Sequence, residues 1–292
     1  MLRINVIPKF FYRIRNRLLG RQTILHCHIF KNAGTTLDWA LERSFNFGFV
    51  DHRDDVVLRQ QGMNYLEDFL CKNPNVSAVS SHHMPFMPEY DPSYYWLVLL
   101  REPLSRVRSV YEFEVKQLPV SSLGSKMAKE LDFSKYIHWR MRDDVPAVIQ
   151  NFHVRYLNNV LRPEMEIDDS FLSNAFQRLR LDNVLVGTVE NFDQSMVVFE
   201  EALKEKFPKI DLAYISQNIG NKRSEQPLGF LDEITPDARE LLLENNQLDQ
   251  KLYDMVSADQ KKLISSIPDF NEKFSCFKKR CNSLVAKNNA TK

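Results

Sequence analysis

The residues of this chain best suited to chemistry lie in one short segment, residues 28–36, which reads His-Ile-Phe-Lys-Asn-Ala-Gly-Thr-Thr. A β-branched and apolar run at residues 23–29 leads into it, and apolar side chains at helical spacing begin near Thr36. This order predicts a loop between a strand and a helix N-terminus, where unpaired N–H groups and the helix dipole attract anions. Gly34 lets an oxyanion approach the backbone closely, and Lys31 adds a mobile positive charge. The chemistry indicated is that of a phosphate or sulfate site.

The order of residues in this loop differs from that of the common nucleotide-binding loops. A Walker loop needs Gly-Lys followed by Ser or Thr, and none of the eight glycines of this chain is followed by lysine. The GxGxxG pattern of dinucleotide-binding proteins is also absent. By composition alone, an ordinary strand-to-helix turn that carries a lysine explains the segment equally well.

The segment resembles the His-Ile-Pro-Lys-Thr-Ala-Gly-Thr loop of sulfotransferases that use 3′-phosphoadenosine-5′-phosphosulfate (PAPS) as donor. The nearest group is the second sulfotransferase family, related to heparan sulfate and other carbohydrate O-sulfotransferases. Phe30 replaces the usual proline of that loop, and Asn32 replaces the usual threonine. The resemblance implies that the loop grips the phosphosulfate and that Lys31 stabilises charge on the oxygen that leaves. The donor-binding residues implied in this loop are Lys31, Asn32, Ala33, Gly34, Thr35 and Thr36.

A second segment, residues 101–111, follows a nearly all-apolar run and resembles the family's Arg-Asp-Pro-x-x-Arg-x-x-Ser-x-Tyr element. The resemblance implies that Arg101 and Ser109 bind the 3′-phosphate of the donor. Arginine suits that task because its guanidinium is a planar fork of N–H donors. Arg106 and Arg108 are interpreted as solvated residues of the helix that follows.

Two adjacent histidines are candidates for the general base that removes the acceptor proton. The segment at residues 81–86, Ser-His-His-Met-Pro-Phe, resembles the family's Gly-His-x-Pro element, which supplies such a histidine. Met84 and Pro85 align best if His83 is the base. His82 is the alternative base, although the family has a glycine at its position. A structural role for either ring is also left open.

No metal is expected in this chemistry. The resemblance implies sulfuryl transfer without magnesium, which agrees with the lack of an obvious acid cluster for a metal ion. His26 and His28 share one face of the first strand, and their interpretation is structural packing. The four cysteines show no CxxC spacing, which argues against a zinc site and against a disulfide framework.

The alternation of predicted strands and helices favours an α/β fold, a P-loop NTPase-like parallel sheet flanked by helices. Residues 117–180 break the alternation and are predicted to be a mostly helical insertion. The predicted organisation is a basic leader at 1–22, a sulfotransferase domain at 23–257 and a lysine-rich tail at 258–292, ending in disorder.

Three later segments extend the resemblance, so that it spans about residues 23–255. Residues 151–157 are similar to the family's Asn-x-x-x-Arg-x-Leu element, and residues 186–193 to its Val-Gly-x-x-Glu-x-Phe-Asp junction. Residues 246–253 are similar to its late Asn-x-x-Asp-x-x-Leu-Tyr helix. A further loop, residues 221–223, reads Asn-Lys-Arg and either closes over the ligands or is solvated.

The charge of the chain limits its partners and location. The net charge is only +1, which argues against a nucleic-acid partner. Residues 1–21 hold six basic residues and no acid, a pattern that favours either a peripheral contact with an anionic membrane or a solvated helix. They lack the continuous apolar core of a secretory signal, and no run of about 18 apolar residues follows. We expect a cytoplasmic protein, and peripheral attachment to a membrane is the alternative.

These observations favour an enzyme that moves a sulfuryl group from PAPS to a hydroxyl acceptor, with a carbohydrate or glycan as the expected acceptor. The alternatives are a non-catalytic nucleotide-binding or membrane-associated protein and a kinase-like phosphotransferase.

Overall fold

The structure is a computed structural model, and the residues that it describes are 21–53, 55–162, 164–217 and 228–290. The leader up to residue 20 and the loop at residues 221–223 lie outside these ranges, so the expectations for them stay predictions.

One parallel sheet forms the centre of the described molecule. Its strands are β1 (Thr23–Cys27), β2 (Phe49–Asp51), β3 (Ala78–Ser81), β4 (Tyr94–Leu100) and β5 (Val184–Thr188). Every neighbouring pair is parallel, in the order β2-β3-β1-β4-β5. The predicted α/β architecture with a parallel sheet flanked by helices is therefore confirmed. The sequence pattern missed β2, which is a three-residue edge strand and too short to show a period.

Twelve α-helices surround this sheet in the described residues. They are α1 (Gly34–Phe45), α2 (Val56–Gln61), α3 (Met63–Lys72), α4 (Pro103–Lys116), α5 (Leu123–Glu130), α6 (Phe133–Arg140), α7 (Phe152–Leu157), α8 (Asp169–Leu179), α9 (Phe192–Leu203), α10 (Pro236–Glu244), α11 (Gln247–Ser266) and α12 (Phe270–Ala290). Among these described helices, none is both long enough and apolar enough to cross a membrane.

The two faces of the sheet are buried in two different cores. Successive side chains of a strand point to opposite faces, so Ile24 and Leu25 of β1 enter different clusters. Ile24 packs with Leu97 of β4, and Leu25 packs with Trp96. Because both faces are covered, every residue of β1 is buried and β4 is apolar throughout, as expected for central parallel strands.

Residues 117–180 are largely helical, as predicted, and contain α5 to α8. A third apolar cluster joins α4 to α6 and α10 through Val107, Tyr136 and Leu242, all of them fully buried. The insertion thereby supports α4, the helix that contains most of the predicted second anion segment.

The prediction of a disordered C-terminal end is wrong. The boundary expected after residue 257 falls inside α11, and the lysine-rich segment forms α12 instead. Phe277 of α12 is fully buried, and Cys281 joins it in the core against α9. The lysines occupy the outward face, so the polar composition concealed a helix with a narrow apolar stripe.

Two helices separated by a short break follow Thr235. α10 ends at Glu244, and α11 begins at Gln247 after a break at Asn245 and Asn246. The side chains of both asparagines stabilise this break. Their NH₂ groups donate to backbone carbonyls of the preceding turn, those of Leu241 and Leu242. This break places the first turn of α11 beside the first turn of α7.

Candidate anion-binding site

The segment at residues 28–33 lies where the sequence pattern predicted it, between the end of β1 and the start of α1. β1 is the middle strand, and the chain crosses from it to β2 and β3 on one side and to β4 and β5 on the other. In open α/β sheets, ligands bind outside the carboxyl ends of strands at such a switch point. The end of β4, which Arg101 follows directly, lies next to the same point.

The backbone of this loop is strained at two positions. Lys31 has a φ of 66° and Ala33 a φ of 58°, both in the left-handed region that residues with a Cβ seldom adopt. A left-handed backbone costs about 1–2 kcal/mol at each such residue, so it persists only where the surrounding structure holds it in place. Contacts outside the loop must therefore maintain this conformation.

Two arginines from the second anion segment hold the loop by its carbonyl oxygens. Nη1 of Arg101 donates to the carbonyl of Lys31 at 3.2 Å, and Nε of Arg106 donates to that of Phe30 at 3.1 Å. The two predicted anion segments are thus joined directly. Two guanidinium groups in contact with the loop also make its surroundings electropositive.

The interpretation of Arg106 as a solvated helix residue is wrong. Arg106 is only 1% exposed, donates twice to the carbonyl of Val148 at 2.9 Å, and lies 4.1 Å over the ring of Phe152. Burial lowers the pKa of its guanidinium to about 9, which leaves it charged at neutral pH. Arg108 is partly exposed and pairs along the helix with Glu112 at 2.9 Å.

The ammonium group of Lys31 lies against α4. Its Nζ stands 4.6 Å from the ring centre of Phe113, on α4. Burial lowers the pKa of Lys31 below its ordinary value, and the positive charges of Arg101 and Lys116 lower it further. A lysine whose pKa is lowered by neighbouring cations favours the binding of an anion, because an anion offsets that repulsion.

Ser109 lies on α4, one helical turn before Phe113. Residues four apart share a helix face, so Ser109 lies on the side of α4 that Lys31 contacts through Phe113. α4 starts at Pro103, as predicted, and Glu102 caps it by accepting from the N–H groups of Leu104 and Ser105. This start sets the direction in which Ser109 is presented.

Asn32 has a different role from the other loop residues, because its side chain is buried and points into the protein. Its Nδ2 donates to the carbonyl of Leu99 at 2.6 Å and lies 2.9 Å from Nε2 of His153. Its backbone N–H donates to the carbonyl of Ile29 at 3.1 Å, so Asn32 shapes the loop and does not donate to an anion. Thr36 is also largely buried, and its Oγ1 accepts from the N–H of Gln217.

His82, one of the two candidate bases, contacts the loop. Its Nδ1 lies 2.7 Å from the carbonyl of His28, and its ring centre is 4.3 Å from that of His28. A carbonyl can only accept, so His82 carries its proton on Nδ1, and Nε2 is the basic nitrogen of the neutral ring. His83 is half-buried, and its backbone N–H donates to Oγ of Ser81.

A buried carboxylate behind the loop was not singled out by the sequence patterns. Asp38 of α1 holds both strand histidines, with Oδ1 at 2.7 Å from Nδ1 of His26 and Oδ2 at 2.7 Å from Nδ1 of His28. Burial alone would raise the pKa of Asp38, but the two histidines outweigh it and hold that pKa well below its ordinary range. The only signal for Asp38 was an acid among the apolar positions of α1.

The donor atoms of His26, His28 and Asp38 all lie within 4.8 Å of one another, close enough for a metal ion. The carboxylate, however, already has both ring nitrogens at hydrogen-bonding distance and Nη2 of Arg53 at 3.3 Å. A cation would have to displace these partners and bind beside a guanidinium. The cluster is therefore best described as a hydrogen-bonded support for β1 and α1, which agrees with the packing role predicted for the histidines.

No known protein-family profile matches the chain. The chain is similar to an uncharacterized protein of Archaeoglobus fulgidus, with 27% identity over 251 residues. The alignment covers 82% of this chain and 97% of the archaeal protein. Because that protein is described only as uncharacterized, the similarity extends over most of the chain but carries no activity with it.

Proposed function

We propose that this chain is a PAPS-dependent O-sulfotransferase with a P-loop-like fold. The observation that carries the proposal is the contact between the two predicted anion segments, in which Arg101 holds the carbonyl of Lys31. PAPS carries an anion at each end of its nucleoside, so an enzyme for it needs two neighbouring cationic sites. The position of the loop after the middle strand supports the P-loop-like assignment.

The proposed reaction assigns separate tasks to the residues of the loop and of α4. The backbone N–H groups at the start of α1, with Thr35, would bind the 5′-phosphosulfate. Arg101 and Ser109 would bind the 3′-phosphate. The acceptor oxygen forms a bond to sulfur while the bond from sulfur to the bridging phosphate oxygen breaks. The electron pair goes to that phosphate oxygen, where Lys31 would stabilise the charge.

The acceptor hydroxyl must lose its proton in this step, and the contacts of His82 favour it as the base over His83. Its Nδ1 is held by the carbonyl of His28, at the start of the loop, which orients Nε2 as the nitrogen that accepts the proton. His83 was the better match by alignment alone. A hydroxyl on a carbohydrate remains the proposed acceptor, and a cytoplasmic location remains a prediction.

The direct test is sulfuryl transfer from labelled PAPS to a panel of glycans, combined with calorimetric binding of PAP, the desulfated product. We expect Lys31→Ala to lose most turnover, by roughly 100-fold or more, since it removes charge stabilisation in the transition state. Lys126→Ala is the matched control, because Lys126 is an exposed lysine of α5. Equal turnover by Lys31→Ala and wild type would refute the assignment.

The two histidines are tested separately. His82→Gln should lose turnover while PAP still binds, and His83→Gln should lose much less. If both variants remain active and PAP still binds, the chain is a non-catalytic nucleotide-binding protein. Magnesium-dependent consumption of ATP without binding of PAP would instead identify a kinase-like phosphotransferase.

A further inference from the structure

Asn32 occupies an unusual place, between the two strained residues of the loop. Lys31 and Ala33 on either side of it have left-handed backbones. The side chain of Asn32 is 1% exposed and bonded away from the loop, to Leu99 and His153. Its orientation is unambiguous, because the carbonyl of Leu99 can only accept and must face the NH₂ group. A buried anchor thus stands at the centre of the strained segment.

The anchor continues through His153 to a buried carboxylate. Nδ1 of His153 lies 3.3 Å from Oδ2 of Asp249, and both side chains are almost completely buried. Burial, together with the charge of Arg106, lowers the pKa of His153 well below its ordinary value, so the ring is neutral. A neutral ring has one donor and one acceptor. Because Nε2 accepts from Asn32, we assign the proton to Nδ1, which lies near Asp249 without completing a hydrogen bond to it. The hydrogen bond that joins His153 to Asp249 comes from the backbone N–H of His153, at 2.9 Å from Oδ2.

The carboxylate at the far end is itself rigidly held. Asp249 accepts from the N–H groups of His153 and Val154, each at 2.9 Å, and so caps the N-terminus of α7. In return, Asn151 accepts from the N–H groups of Leu248 and Asp249 and caps α11. Two helices that cap each other form a fixed support, because neither can shift without breaking the bonds of the other.

We propose that Asn32, His153 and Asp249 are positioning residues, which transmit the rigidity of the α7–α11 pair to the anion-binding loop. The connection holds Lys31 and Ala33 in the backbone conformation that the donor phosphate requires. This inference rests on the proposed function only in naming that ligand. The 151–157 and 246–253 segments, which resemble family elements, would then act on the loop from behind and would not contact the substrate.

The test is His153→Leu, which removes the acceptor of Asn32 and keeps a similar apolar volume. We expect the dissociation constant for PAP to rise by about tenfold, which corresponds to about 1.4 kcal/mol. Hydrogen exchange of the amides at residues 31–34, measured without ligand, should also become faster. If His153→Leu does not fold, Asn32→Ala removes the same bond from the loop side.

Gln260→Leu is the matched control for a general loss of stability. Gln260 is also on α11 and also buried, but it bonds to Thr188 and Ser195 and not to the loop. It should lower the melting temperature and leave PAP binding and loop exchange unchanged.

Ala33→Gly separates a positioning role from general destabilisation, because it should change PAP affinity only if the conformation of the loop is what was lost. Glycine adopts a positive φ without the penalty of a Cβ, so the loop should need less support. In the His153→Leu background, we expect Ala33→Gly to raise the affinity for PAP at least threefold.

The outcomes separate this inference from the proposed function. If wild type fails to bind PAP but His153→Leu still accelerates exchange in the loop, the donor assignment fails and the positioning role stands. If wild type binds PAP and His153→Leu binds it equally well, with unchanged loop exchange, the positioning role is overturned.

Discussion

Gly34→Ala would place a methyl group inside the ring of His28. A Cβ built on Gly34 lies 2.2 Å from Cδ2 of that ring and 2.5 Å from Nε2, whereas ordinary contacts begin near 3.4 Å. The ring must therefore retreat by about 1 Å. It has little room to do so, because its Nδ1 is held at 2.7 Å from Asp38 and its other face meets the ring of His82.

The free energy of unfolding should fall by about 2–6 kcal/mol in this variant. Overpacking of a filled core costs about 1–3 kcal/mol. Loss of the contact between His28 and Asp38 leaves a buried polar group without its partner, at about 1–3 kcal/mol more. Since Gly34 begins α1 and His28 begins the loop, binding of PAP should weaken as well.

Urea unfolding followed by circular dichroism measures the effect, and a double-mutant cycle assigns its cause. In a His28→Ala background the added methyl has no ring to meet, so Gly34→Ala should then cost far less. Gly48→Ala is the control, because its Cβ would approach no atom closer than 3.3 Å. The reasoning is refuted if Gly34→Ala changes stability by less than about 0.5 kcal/mol, or costs the same with and without the ring of His28.

Three further outcomes follow from the site and the core. Because burial and neighbouring cations lower the pKa of Lys31, kcat/KM for PAPS should fall as the pH rises toward 10.5, and Lys31→Arg should abolish that decline. An unchanged pH profile in Lys31→Arg would contradict this. Arg101→Ala should weaken PAP binding by roughly 10- to 100-fold. It should weaken binding of adenosine 5′-phosphosulfate, which lacks the 3′-phosphate, much less, because only the contact with the carbonyl of Lys31 is then lost; calorimetry compares the two ligands. Phe277→Ala should cost about 3–5 kcal/mol of stability, whereas Phe47→Ala, at a 93% exposed side chain, should cost almost nothing; equal melting temperatures would show that α12 is dispensable.

Features that depend on neighbouring residues in the chain were predictable from sequence. β4 and the start of α4 are marked in this way, because an all-apolar run, a proline at the first helical position and a capping acid are local signals. The strand–loop–helix order around residues 28–36 was predictable for the same reason. The edge strand β2 and the helix α12 were missed because their apolar residues are too few or too widely spaced to mark a period.

The roles of individual polar side chains were decided only by the tertiary structure. Arg106 has the same local sequence context as its solvated neighbour Arg108, and it is buried because the carbonyls of Phe30 and Val148 meet it from remote parts of the chain. The same holds for Asn32, whose partner His153 is 121 residues away.

The sequence by itself determined that a loop joins the first strand to a helix N-terminus, because local spacing marks where strands end and helices start. Only the folded chain decided that His82 contacts this loop and that a buried network holds it from behind. Burial of a polar group is tolerated only where distant partners satisfy its hydrogen bonds, and those partners are not encoded in any local pattern.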